Sequence, residues 1–222
     1  MSWNHPQGHQ PAYNPNYAPQ QYGQQYGGYQ QGPPQYHAPY GGPPQGPPPG
    51  IDPTLWHWFQ SVDQDRSGKI TANELRQALV NSNWSNFNEE TCRLMIGMFD
   101  KDKSGTIDIH EFSALWNYIQ QWKGCFDSFD RDRSGTIDAG ELNQAFLTFG
   151  YRLSPQFCNL CVQKFDRRDK RTMKFDDFIQ CCVTLKSLTD AFRQHDHNQS
   201  GSITISYEQF LEMVLGHTLS GI

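Results

Sequence analysis

Two long apolar stripes of helical spacing run through the second half of the chain. Phe112, Leu115, Ile119, Trp122, Phe126 and Phe129 recur every three or four residues, and Phe178, Cys182, Leu185, Leu188 and Phe192 do the same. That period lines one face of an α-helix. Each stripe lies in an 18-residue stretch, 112–129 and 178–195. At the usual rise per residue, each predicts one unbroken helix of about 27 Å. Two polar interruptions, NSNWSNFN (81–88) and FGYRLSP (149–155), break the pattern elsewhere. In the second, Ser154 before Pro155 reads as a helix N-cap followed by proline at the first helical position. The expected fold class is all-α from residue 53 to 222.

The turns between these helices repeat. A twelve-residue pattern begins at Asp63, Asp100, Asp130, Asp166 and Asp196. The first three copies are DQDRSGKITANE, DKDKSGTIDIHE and DRDRSGTIDAGE. Each places Asp at positions 1 and 3, Ser at 5, Gly at 6, Ile at 8 and Glu at 12, the outline of an EF-hand calcium loop. Ca²⁺ takes about six to eight oxygen ligands, and each position has a duty in supplying them. Positions 1, 3 and 5 offer side-chain oxygens, position 7 a backbone carbonyl, position 9 a group acting often through water, and Glu at 12 two oxygens at once. Glycine at 6 allows the sharp turn. The candidate ligands are therefore Asp63, Asp65, Ser67, Lys69, Thr71 and Glu74 in loop 1 (63–74). In loop 2 (100–111) they are Asp100, Asp102, Ser104, Thr106, Asp108 and Glu111. In loop 3 (130–141) they are Asp130, Asp132, Ser134, Thr136, Asp138 and Glu141. Loop 1 has three acids against four in each of the others, so charge alone ranks it weakest.

The last two copies depart from the outline. Loop 4 (166–177) reads DRRDKRTMKFDD, with Arg168, Lys170 and Arg171 at positions 3, 5 and 6 and the shorter Asp177 at 12. It is expected to bind no calcium and to persist as scaffold, with Met173 still able to pair with loop 3. Loop 5 (196–208) reads DHNQSGSITISYE and puts Tyr207 at position 12, with Glu208 one place late. Weak, magnesium-like or no binding is expected, with Glu208 reaching an ion only if the loop bulges.

Neighbouring hands pair through position 8, so hands 1 and 2 couple, as do 3 and 4. A fifth hand is left with an open edge and an apolar face. Ile203, Ile205, Tyr207 and Phe210 are the candidate dimerisation residues, facing a second copy or a related chain. Trp84, Trp116, Tyr118 and Trp122 are candidates to line a groove for a proline-rich partner segment; the competing reading of each is plain core packing.

Composition divides the chain. No Asp, Glu, Lys or Arg precedes Asp52, and 12 of the 14 prolines lie within residues 1–50. Residues 1–52 read as a disordered Pro/Gly/Gln/Tyr-rich arm, since such a segment has too little aliphatic surface to offset the entropy of ordering. The net charge of −5 argues against nucleic acid as a partner. No stretch is long and apolar enough to span a membrane, and no secretory signal pattern opens the chain. Cys92, Cys125, Cys158, Cys161, Cys181 and Cys182 fall in apolar helical stretches and read as buried, reduced thiols of a cytoplasmic or nuclear protein. No nucleophile–base signature suggests an enzyme.

Five hands at this spacing, the proline-rich arm, and the stretches ALVNSNW, FSALWNYIQQW, FGYRLSPQF and SYEQFL resemble the penta-EF-hand family over about residues 53–222. The resemblance implies an all-helical fold, homodimers or heterodimers through the fifth hand, and calcium-dependent adaptor work. It also implies a cytosolic protein that attaches peripherally to endoplasmic-reticulum exit sites and vesicles and touches vesicle coats and ubiquitin-ligase adaptors. Loops 1 and 3 are that family's usual functional pair, so a complete loop 2 departs from the pattern. Alternative roles are regulatory subunit of a calpain-like protease and simple calcium buffer.

Overall fold

The computed structural model describes residues 46–82, 85–166, 168 and 171–218. Most of the arm, and Trp84, lie outside them. Eight helices follow one another among the described residues: α1 (Pro53–Val62), α2 (Ala72–Ala78), α3 (Glu89–Phe99), α4 (Ile109–Phe129), α5 (Ala139–Thr148), α6 (Pro155–Phe165), α7 (Phe175–His195) and α8 (Tyr207–Thr218). Both long helices are present and have 21 residues each. They exceed the predicted 18 because the last three positions of the preceding loop already belong to the helix. Each of the two therefore leaves one hand and enters the next.

Caps set where the helices begin. The Asp52 carboxylate accepts from the N–H groups of Thr54 and Leu55 ahead of α1, with Pro53 at the first helical position. Ser154 caps α6 by accepting from the Phe157 N–H at 3.1 Å, as its sequence context predicts. Thr71, Asp108 and Asp138 cap α2, α4 and α5 in reciprocal boxes with Glu74, Glu111 and Glu141. Position 9 and position 12 of each calcium loop thus also begin the outgoing helix.

Position 8 joins the hands. Ile70 and Ile107 exchange backbone hydrogen bonds at 2.8 and 2.9 Å, and Ile137 and Met173 do so at 2.8 Å each way. Each pairing at position 8, where a short two-stranded ribbon is expected, is a single antiparallel bridge, and all four residues are fully buried. Degenerate loop 4 keeps its pairing with loop 3, as Met173 predicts. The core is aromatic: Phe59 packs edge-on against Phe112, and Phe126 against Phe175 and Phe178. The α4 stripe is buried as far as Phe126. The α7 stripe is buried at Phe178 and Cys182, whereas Leu188 is exposed.

The interruption at 81–88 is more than a spacer. Its residues Asn81, Ser85, Phe87 and Asn88 lie against the start of α7, some ninety residues on. Asp176 accepts from the Asn88 backbone N–H at 2.7 Å and from Asn88 Nδ2 at 3.2 Å. Its own N–H donates to Asn81 Oδ1, and Thr91 Oγ1 donates to its carbonyl. Lys174 Nζ donates to Ser85 Oγ at 2.6 Å, and Phe87 meets Phe175 edge-on. Asn88 meanwhile caps α3. Hand 4 thereby holds the connection between hands 1 and 2 in place.

Candidate metal centres

Each of the first three loops gathers its acids around one point. Asp63, Asp65 and Glu74 can bring carboxylate oxygens within 4.8 Å of one another, as can Asp100, Asp102 and Glu111, and Asp130, Asp132 and Glu141. The backbone arranges this the same way three times. The position 1 carboxylate accepts from the N–H of position 6: Gly68 to Asp63 at 2.8 Å, Gly105 to Asp100 at 2.7 Å, Gly135 to Asp130 at 2.9 Å. Those glycines have φ between +77° and +79°, where a side chain would be strained. Position 4 also turns left-handed, at Arg66, Lys103 and Arg133. Basic side chains there stay outside the ligand set.

The closing glutamates are already held over the loops. Glu74 accepts from the N–H groups of Gln64 and Thr71, Glu111 from those of Lys101 and Asp108, and Glu141 from those of Arg131 and Asp138, at 2.8–3.1 Å. Both oxygens of each are therefore held by backbone N–H groups, and one of them lies with the acids of its loop. Ser67, Ser104 and Ser134 donate to the position 7 carbonyls of Lys69, Thr106 and Thr136, so positions 5 and 7 also converge. Hydrogen bonds from the Ser67 and Ser104 side chains hold the Asp65 and Asp102 carboxyls below the usual range, Asp102 to about 2. The Ser134 backbone N–H does the same for Asp132. Hard, charged oxygens in this arrangement are compatible with Ca²⁺. One difference separates the loops: the Lys69 ammonium lies 3.3 Å from Asp102, across from loop 1 into loop 2.

In loop 4 a side chain occupies the corresponding place. Arg168 Nε stands 3.3 Å from the Asp166 carboxylate, whose side chain is wholly buried. The N–H groups of Arg168 and Arg171 donate to the same carboxylate. Loop 5 begins like the others, with Gly201 and Ser200 donating to Asp196 at 2.8 and 2.9 Å. Its close differs. Ser206 caps the outgoing helix, and Gln209 Oε1 accepts from the Ser206 N–H at 2.8 Å. The helix starts two residues late, so the residue reaching back is Gln209. Glu208, the sequence candidate, belongs to none of the acidic clusters among the described residues.

Comparison with known proteins places this geometry. The EF-hand domain pair family matches residues 56–116 and 119–182. Over 158 residues the chain is 48% identical to a sorcin of Schistosoma japonicum, covering 71% of this chain and 92% of that protein. This chain belongs to the penta-EF-hand family of calcium-binding proteins. It is also 49% identical over 170 residues to human peflin, covering 76% of this chain and 60% of that one, and 49% identical to the Xenopus laevis peflin over 165 residues. The chain thus spans about three-fifths of the length of the peflins it matches. A solved structure of a programmed cell death 6 protein homologue from Leishmania major superposes with a TM-score of 0.64 at 30% identity, covering 76% of this chain and 94% of that one.

The aromatic candidates of this penta-EF-hand chain do not share one groove. Trp116 is half-buried against Trp58 and Phe112. Tyr118 and Trp122 pack edge-on to each other on another face of α4, with Phe99 against Tyr118 and Phe149 and Phe178 against Trp122. A step of two residues turns a helix by about 200°, which separates Trp116 from Tyr118. Trp122 is buried, yet its indole N–H has no hydrogen-bond partner. Burial pushes the Tyr118 hydroxyl up to about 12. Trp56 and Trp58, absent from the sequence candidates, join the first cluster; only packing of α1 on α4 reveals them.

In the fifth hand, Ile203 and Ile205 are half-buried, while Tyr207 is 78% and Phe210 47% exposed. Leu211 and Leu215 on α8 and Leu188 on α7 are exposed as well. No described helix is long and apolar enough to cross a membrane.

Proposed function

We propose that this chain is a calcium-responsive adaptor that dimerises through its fifth hand. Ca²⁺ fills loops 1, 2 and 3 through the eighteen candidate ligand residues, loop 4 holds none, and loop 5 holds a divalent ion weakly or not at all. The observation that carries this reading is the repeated clamp of the closing glutamates Glu74, Glu111 and Glu141 over their acidic clusters. Loop 3 is the strongest of the three. It matches loop 2 in acids, and loop 2 must also release Asp102 from Lys69.

Calcium exchanges the backbone hydrogen bonds of each closing glutamate for ion contacts and so turns the outgoing helices α2, α4 and α5. Movement of α4 changes how Tyr118 and Trp122 are covered. An aromatic surface suits an extended proline-rich segment. The exposed fifth hand favours a partner-binding role over simple buffering. On this reading the protein works in the cytosol and at endoplasmic-reticulum exit sites, with vesicle coats and ubiquitin-ligase adaptors among its contacts.

Calorimetry of the full chain with CaCl₂ tests the proposal. Three bound ions are expected, and Glu74→Gln, Glu111→Gln and Glu141→Gln each weaken their own loop by about tenfold or more, because each removes one charge and half of a two-oxygen ligand. Capture of a proline-rich peptide is expected only with calcium and is lost in the triple variant. No heat on adding calcium, or equal capture with and without it, defeats the reading.

A further inference from the structure

Charge is unevenly placed along this chain. From residue 142 to residue 165 no Asp or Glu occurs. Residues 164–174 then hold six of the chain's 18 lysines and arginines against two of its 23 acids, a net +4 in a chain whose total is −5. The segment covers the end of α6 and most of loop 4. A scaffold role does not call for this excess. One arginine, Arg168, pairs with Asp166, and the bridge between Ile137 and Met173 holds loop 4 to loop 3. Like charges crowded into one short loop repel one another, which disfavours the folded state until an anion meets them.

Helix α6 carries an apolar stripe outward beside this charge. Its buried face is Cys158, Cys161 and Val162. On the outer side Phe157 is 36% and Leu160 58% exposed, and Lys164 is exposed in the last turn. Residues three and seven apart fall on one stripe of a helix. Phe157, Leu160 and Lys164 therefore line up and lead toward loop 4, where Arg168 and Arg171 are exposed. Lys174 is half-buried with its ammonium on the Ser85 hydroxyl, an uncharged partner that does not neutralise it. The other exposed side chains of α6 include Gln156, Asn159 and Gln163, which are neutral.

We infer that the outer face of α6 and loop 4 together form a docking surface for an anionic phospholipid membrane. Phe157 and Leu160 enter the headgroup boundary, and the basic residues meet the lipid phosphates and carboxylates. Geometry favours a membrane over an acidic peptide. Apolar side chains on the outer face of a helix, next to a basic run, can dip into a soft interface, as in helices that lie on membranes. A peptide needs a groove or a sheet edge to order it. Basic residues near an anionic surface each add to the attraction within a Debye length, so the loop need not present one fixed geometry. This surface uses no ligand residue of loops 1 to 3 and no residue of the fifth hand. It therefore goes beyond the adaptor reading and needs no calcium.

The test sediments the full-length protein with lipid vesicles in the presence of a calcium chelator. Vesicles of phosphatidylcholine with phosphatidylserine are expected to carry the protein down, vesicles of phosphatidylcholine alone are not, and high salt releases it. Lys164→Ala lowers the partition coefficient by about fivefold, the weight of one basic side chain at an anionic surface. Leu160→Ala lowers it by about tenfold, through lost apolar insertion. Both side chains are exposed, so the melting temperatures of these variants should match the wild type. No binding to anionic vesicles, equal binding to neutral ones, or partition unchanged in both variants would overturn the assignment. Polyglutamate bound where anionic vesicles are not would give the surface to an acidic protein segment and overturn it too. The assay contains no free calcium, so its failure is distinct from failure of the adaptor reading.

Discussion

Arg168 pairs a basic side chain with the first carboxylate of loop 4. Its guanidinium group sits on the wholly buried Asp166 carboxylate, the first position of the loop. The hand keeps its fold because that carboxylate is still paired. Arg168→Ala should leave a buried charge with backbone donors only. The arginine side chain is 42% exposed, so screening reduces what the pair contributes. The expected loss is about 1–2 kcal/mol, read as a fall in melting temperature of about 3–6 °C. Calorimetry should show no added calcium site, because Lys170 and Arg171 remain. An unchanged melting temperature would show that water replaces the guanidinium without penalty. The basic residues of loop 4 are legible in the sequence. Which of them turns inward to Asp166 is a matter of rotamer and loop path, and no spacing rule reports it.

At the scale of elements, the start of α7 joins hand 4 to the link between hands 1 and 2. Asp177 lies in that contact, accepting from Asn88 Nδ2 at 3.3 Å. Burial, and then neighbouring Asp176, push its carboxyl up to about 6. A carboxyl raised in the folded state favours folding when neutral. Its contribution is fully present below about 3.8 and is lost as the pH rises through about 6. Asp177→Asn, which keeps an acceptor oxygen and carries no charge, should therefore melt higher than the wild type at pH 7, by about 2–4 °C. The difference should vanish near pH 4. Thermal melts of both proteins across that range check it, and parallel pH profiles would show that Asp177 titrates normally. The helices α4 and α7 are legible from their apolar stripes because helical period is a local property. The grip of Asp176 and Asp177 on Asn88 joins residues almost ninety positions apart, and it carries no sequence period.

The whole molecule turns on an odd number of hands. Two pairs bridge through Ile70–Ile107 and Ile137–Met173, and the fifth hand presents Tyr207, Phe210, Leu211 and Leu215 to solvent. Sedimentation of the wild type at micromolar concentration should show a dimer. Tyr207→Glu with Phe210→Glu should weaken it by about a hundredfold or more, since a buried interface core does not admit unpaired charge. The loops of hands 1 to 3 should bind calcium as before. A wild-type monomer at every concentration, alone and with a related penta-EF-hand chain, would remove the fifth hand's assigned role.

The order of helices, the three acidic loops and the leftover fifth hand were all determined by the sequence, because twelve-residue ligand spacing and a period of three to four are properties of short segments. The packed structure alone decided three other things. It parted Trp116 from Tyr118 and Trp122, gave loop 5 a late helix start closed by Gln209, and brought Arg168 onto Asp166. Each depends on how far a helix is rotated, where a loop ends, or which faces meet. Those quantities are set by burial over the whole core, and no local stretch of the chain contains them.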